Sequence, residues 1–266
     1  MLCALVLLTS AAADPDPNRL TPPDDLPPPP PGTRWKLVWH DEFNGTELDD
    51  RKWECPPDSK RRDGWWMRKA VMLDGRGHLV LRTFREENRY IDGCVRTRGR
   101  FEHAFGFYVA RIRLHRSVGH WPAFWLMGPT VMRIGDEGRD GSEIDIMEKP
   151  WLDDRVNHAI HWDGYGPEHR FEAKVSRVAG VMEGFHTYGL AWLPDEYVFY
   201  IDGREVWRTR AGGVCRQPLF IKLSDEIGDW AGDIRQATLP DEFVVDYVRV
   251  YDAVGPTTRP STRPAG

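Results

Sequence analysis

The 266-residue sequence has no Cys-x-x-Cys spacing and only four cysteines. That excludes the common structural zinc frameworks, which need soft ligands paired at short spacing. It also lacks an apolar run of the roughly 20 residues needed to cross a bilayer. Positive charge is not in excess: the formal net charge is -5, so there is no basic footprint for nucleic acid. No internal repeat and no sustained helical period of apolar residues are present, which argues against solenoids, bundles and coiled coils. What remains is a chain with 41% hydrophobic and 29% charged residues, enough to bury a core.

Proline is abundant but unevenly placed. Asp14 to Gly32 holds DPDP, TPPDD and five successive prolines, Pro27 to Pro31, so residues 14–32 read as an extended linker. Before it, residues 1–13 (MLCALVLLTSAAA) form a short apolar stretch ending in small residues, the pattern of a secretory signal cut after Ala13. The expectation is a secreted or periplasmic protein, monomeric, with no membrane contact beyond export. Residues 254–266 read as a disordered tail, leaving one domain over 33–253. Loss of Cys3 with the signal would leave Cys55, Cys94 and Cys215, an odd count that guarantees a free thiol unless chains cross-link.

Twelve tryptophans are the compositional surplus. An indole is flat and apolar with one donor, so it suits half-wet surfaces such as the face of a sugar ring as well as a core. The local patterns are short strands. Phe105 to Leu114 (FGFYVARIRL) alternates, with Val109, Arg111 and Arg113 on one face and Ala110, Ile112 and Leu114 on the other. Tyr197 to Ile201 runs into Asp202-Gly203, a hairpin turn signal, and then Glu205 to Trp207. Strands are also read at Trp35–Trp39, Leu79–Thr83 and Phe243–Tyr251. This predicts an all-β antiparallel sandwich of jelly-roll, concanavalin-like type with a concave cleft.

One strand carries the chemistry: Glu143-Ile144-Asp145-Ile146-Met147-Glu148. Alternation puts Glu143 and Asp145 on one face and Ile144 and Ile146 in the core. It would also drive Glu148 into the apolar layer, where an unpaired carboxylate is very costly. The sequence therefore demands a buried charge or a one-residue bulge near Met147 that returns Glu148 to the Glu143 face. With the bulge, three acids line one wall. Retaining glycoside hydrolysis needs two such acids, a nucleophile and an acid/base, and crowding of like charges raises one of their pKa values. A solvent-facing acidic strand would show the same bare pattern. Just upstream, Trp121-Pro122-Ala123-Phe124-Trp125-Leu126-Met127 sets two tryptophans on one strand face.

WPAFWLM followed by EIDIME resembles glycoside hydrolase family 16, the group of laminarinases, lichenases, agarases and carrageenases. HDEFNGTELDDRKW (His40 to Trp53), FGFYVARIRL, FHTYGLAWLPDEYVFYIDG (Phe185 to Gly203) and VDYVRVY resemble further family segments in the same order. The resemblance implies a jelly roll and a retaining mechanism, with Glu143 as nucleophile, Asp145 assisting and Glu148 as acid/base. Met147 makes the motif similar to the bulged laminarinase form. The resemblance also implies that Trp121 and Trp125 flank the sugar next to the cleavage point and that His161 lies near the acid/base. Trp162 and Trp230 complete the expected substrate-binding set. It further implies a Cys55–Cys94 disulfide, with Cys215 free. No cofactor is needed for catalysis, but a structural calcium ion is implied at Glu42 and Gly77 (backbone carbonyls) and Asp246.

Two segments depart from the family pattern: Asp140-Gly141-Ser142 before the motif, and Leu223 to Gly232. Both touch the expected substrate region and leave the sugar open. The leading expectation is an endo-acting hydrolase of a β-1,3- or mixed-linkage glucan. A galactan hydrolase (agar, porphyran or carrageenan), a transglycosylase and a non-catalytic carbohydrate-binding sandwich are the alternatives. Arg98, Arg100, Arg133 and Arg139 are the candidate basic groove for a sulfated substrate, against ordinary surface charge.

Overall fold

Alternation along the predicted strands becomes two stacked sheets in the computed structural model, which describes residues 26–255. The predicted signal, most of the linker and nearly all of the tail lie outside those residues. One sheet is built around the closing strand Asp241–Val254, which pairs with Arg34–Asp41, Leu79–Glu86 and Gly106–Arg113. The sheet then extends through His186–Trp192, Tyr197–Ile201 and Arg204–Thr209. The other sheet runs in the order Arg170–Arg177, Arg155–Trp162, Ser142–Glu148, Trp121–Met127, Leu219–Glu226 and Cys94–Arg96. Among the described residues, pairing is antiparallel except between Gly64–Trp66 and Arg89–Asp92. Among the described residues the only helices are single 3-10 turns, and no helix is long and apolar enough to cross a membrane.

The predicted faces hold. Ala110, Ile112 and Leu114 pack in the main core with Ile144, Ile146, Phe124, Leu126, Ile221 and Leu223 from the opposing sheet. The Asp202-Gly203 turn has φ of 49° and 70°, the left-handed pair that a two-residue hairpin needs. A smaller cluster on the far side of the first sheet, including Phe107, Val109 and Tyr251, is covered by Leu26, Trp35 and Leu37. Trp35 Nε1 donates to Pro27 O at 2.8 Å, so ordered packing begins before Thr33.

Arg249 is 1% exposed and donates from Nε and Nη2 to the two oxygens of Glu42, at 2.8 and 2.6 Å. The pair ties the closing strand to the residue after the first one. Glu42→Ala is expected to cost about 3–5 kcal/mol, because it strands a buried guanidinium. Urea unfolding checks this as a fall in midpoint at constant slope.

The disulfide expectation is overturned: Cys55, Cys94 and Cys215 are all free thiols. The Glu54–Arg96 bridge carries Cys55 level with Val95, and alternation then turns Cys94 to the opposite face. Cys94 lies across from Ser224, and Cys55 packs on the main core. Two side chains on opposite faces cannot bring their sulfurs to bonding geometry.

Candidate active site

The register of the carboxylate strand contains the bulge. Against Trp121–Met127, Phe124 pairs with Met147 but Trp125 with Asp145. Against Arg155–Trp162, Asp145 pairs with Ala159 but Glu148 with Asn157. One extra residue is thereby absorbed around Ile146-Met147, and both of these side chains are buried in the core. Glu148 returns to the cleft face, and Glu143, Asp145 and Glu148 line a single cavity of about 360 Å³. The strand enters beside Gly141, where any Cβ would come within 2.2 Å of the Thr130 carbonyl, so glycine is required two residues before Glu143.

Each acid has a distinct environment. Glu148 accepts from Trp121 Nε1 at 2.9 Å and from Asn157 Nδ2 at 2.8 Å. Burial, and then the charge of Asp145, push its pKa up to about 8, although those two hydrogen bonds pull the other way. Asp145 is also raised well above the carboxylate range, by burial and then by the charges of Glu143 and Glu226. One of its oxygens lies within 4.8 Å of a Glu143 oxygen. Burial and the neighbouring charges thus favour the protonated forms of both Glu148 and Asp145. Tyr165 Oη donates to Glu143 Oε2 at 2.5 Å.

Of the other expected residues, the structure brings some together and separates others. Trp121 and Trp125 both face the cavity. Neither offers a free ring face on both sides: the Arg62 guanidinium lies 4.3 Å above Trp121, and Lys222 Nζ lies 3.7 Å above Trp125. Trp230 stands edge-on to Trp121, with centroids 4.7 Å apart, and extends the wall beyond it. His161 is beside Asp145 at 3.3 Å and opposite Glu143; the residue opposite Glu148 on that strand is Asn157. Trp162 is a correction. Because His161 faces the cleft, alternation turns Trp162 to the other side, where it packs against Gly138 and Gly212. Arg98, Arg100, Arg133 and Arg139 do not line the cavity, whose cations are Arg61, Arg62 and Lys222.

The sequence reading missed Arg61, Arg62, Trp66, Tyr165, Asn157 and Lys222. Arg61 and Arg62 both grip Glu226, with Arg61 Nε to Oε1 at 2.8 Å. The signal for Lys222 was available: Phe220, Lys222, Ser224 and Glu226 alternate with Leu219, Ile221 and Leu223, so a lysine had to share the cleft face.

The calcium expectation fits only in part. Gly77 lies beside the Glu42 carbonyl, 3.7 Å from where its Cβ would stand, as two backbone ligands to one ion require. Asp246 Oδ2, however, accepts from Arg111 Nη1 at 2.5 Å, so a cation here would share the carboxylate with a guanidinium.

Residues 60–249 match the model of the glycosyl hydrolases family 16. A beta-glucanase of Rhodothermus marinus is 29% identical over 246 residues, covering 82% of this chain and 85% of its own length. A keratan-sulfate endo-1,4-beta-galactosidase of Sphingobacterium multivorum is also 29% identical, and the chain spans 56% of its length. The crystal structure of the laminarinase from Rhodothermus marinus superposes with a TM-score of 0.71 at 27% identity, over 84% of this chain and 99% of that one. With the jelly-roll sheets, the bulged acidic strand and a family match over most of its length, this chain belongs to glycosyl hydrolase family 16 and is an O-glycosyl hydrolase.

Proposed function

We propose that the protein is an endo-acting, retaining hydrolase of a β-linked polysaccharide with a β-1,3- or mixed-linkage glucan backbone. The observation that carries this is the bulge, which sets Glu143 and a Glu148 of raised pKa along one wall of an open cleft. In the first step Glu143 attacks the anomeric carbon while Glu148 passes its proton to the glycosidic oxygen. The C–O bond breaks, and a glycosyl ester forms on Glu143. In the second step Glu148, now a carboxylate, takes a proton from water as that water attacks the anomeric carbon, breaking its bond to the Glu143 oxygen and releasing Glu143. Asp145, whose burial and neighbouring charges favour its protonated form, is proposed to hydrogen-bond Glu143 and assist it as the nucleophile. Trp121, Trp125 and Trp230 shape the sugar path, and His161 steadies Asp145. Relatives named beta-glucanase, endo-1,3-1,4-beta-glycanase and laminarinase support the backbone assignment. A galactan backbone is the second reading, favoured by the galactosidase relative and by the cationic side chains in the cleft. Export is supported by the apolar opening of the sequence, and the protein is proposed to act as a monomer outside the cytoplasm.

A panel of β-1,3-glucan, mixed-linkage glucan, agar and carrageenan, assayed for viscosity and reducing ends, tests the reading. Rapid viscosity loss on a glucan, with the β-anomer as first product by NMR, is the expected result. An α-anomer as first product, or no release from any polymer, would sink it.

A further inference from the structure

Lys222 is a cavity-lining cation that the proposed mechanism leaves unused and that no carboxylate bonds. It is 5% exposed, yet its ammonium meets only ring faces, Trp125 at 3.7 Å and Trp66 at 4.8 Å. Among the described residues it forms no ion pair or hydrogen bond. The charges of Glu226 and Glu143 reach it only from a distance; Glu226 is bonded to Arg61 and Arg62 instead, and Glu143 accepts from Tyr165. The nearby Cys94 thiol, pushed up to about 12 by burial, supplies no negative charge. Beside Lys222 on the same strand face, Ser224 Oγ accepts from Trp125 Nε1 at 3.0 Å, which leaves its own hydrogen free to donate into the cavity.

A buried ammonium and a hydroxyl donor on one face of the cleft form a receptor for an anion, because a charge withdrawn from water needs a charged, hydrogen-bonding partner. A plain glucan offers only neutral hydroxyls. We propose that the cleft takes a glycan whose sugar carries an anionic substituent, a sulfate ester or a carboxylate, and that Lys222 with Ser224 holds it next to the cleavage point. This rests on the hydrolase reading for its context, but the test does not need turnover.

The test uses the full chain with Glu143→Gln to stop hydrolysis. Binding of a β-1,3-gluco-oligosaccharide, its sulfated form and its carboxymethylated form is measured by calorimetry. At least one charged ligand is expected to bind about tenfold or more tightly than the neutral one, and the advantage should shrink as salt rises. Which derivative gains identifies the substituent. Adding Lys222→Met should bring the ratio to about one, whereas Lys222→Arg should keep most of it; if the methionine variant does not fold, Lys222→Gln is read the same way. Equal affinity for neutral and charged ligands, or a ratio that survives loss of the ammonium, overturns the proposal. A lysine that merely tunes Asp145 would change all three affinities together. Absence of hydrolysis by the native protein would count against the hydrolase reading alone, since the binding ratio is independent of it.

Discussion

Glu143→Ala is expected to reduce kcat/KM on the active polysaccharide by on the order of 10⁴ or more, about 5.5 kcal/mol of lost transition-state stabilisation. Deletion alone would not separate nucleophile from acid/base, because both acids act in both steps. Added azide separates them. In Glu143→Ala the small anion fits where the carboxylate stood and attacks the anomeric carbon from that side, giving a glycosyl azide of inverted configuration. In Glu148→Ala the nucleophile still forms its ester, and azide then attacks from the side that water uses, giving a retained product. The geometry motivates this division: Glu143 is held by a phenol beside an Asp145 whose pKa burial raises, while Glu148 is buried among donors with a raised pKa. Exchange of the two azide outcomes between the variants would reverse the roles, and no rescue in either would leave neither residue as the nucleophile.

The division between what the sequence disclosed and what it hid follows from range. The bulge was legible because it is a local contradiction: two-residue alternation put Glu148 into an apolar layer, and only an extra residue removes that cost. The faces of Gly106–Arg113 were legible for the same reason. Cys55 and Cys94 were misread because a bond depends on which faces two distant strands present, and the Glu54–Arg96 bridge sets that. Trp162 was grouped with His161 by proximity in sequence, although adjacent strand residues point apart. Arg61 and Arg62 meet Glu226 from more than 160 residues away, and nothing in their own neighbourhood announces it. Lys222 is the intermediate case, since its facing could be read from the strand but its lack of a counter-ion could not.

The activity is expected to fall as pH rises through about 8, because Glu148 must enter the first step protonated and its pKa stands near that value. The limb should appear in kcat/KM, which reports the free enzyme. Its position is set by burial and Asp145 against the two hydrogen bonds, and this gives a second handle. Asn157→Leu removes a donor that favours the ionised carboxylate, so the limb should move up by about one pH unit, the value of one charge-assisted hydrogen bond. A limb that stays fixed in Asn157→Leu would assign it to another group. Stability must follow with its own sign. A carboxyl whose pKa is higher folded than unfolded makes the folded state bind the extra proton, so stability falls with rising pH between the unfolded value near 4.5 and about 8. Glu148→Gln has no proton to lose there, and its Tm should decline less than that of the native protein between pH 5 and pH 9. The same burial that keeps the acid protonated for catalysis thus makes the enzyme less stable in alkali, and one substitution at Glu148 should remove both effects together.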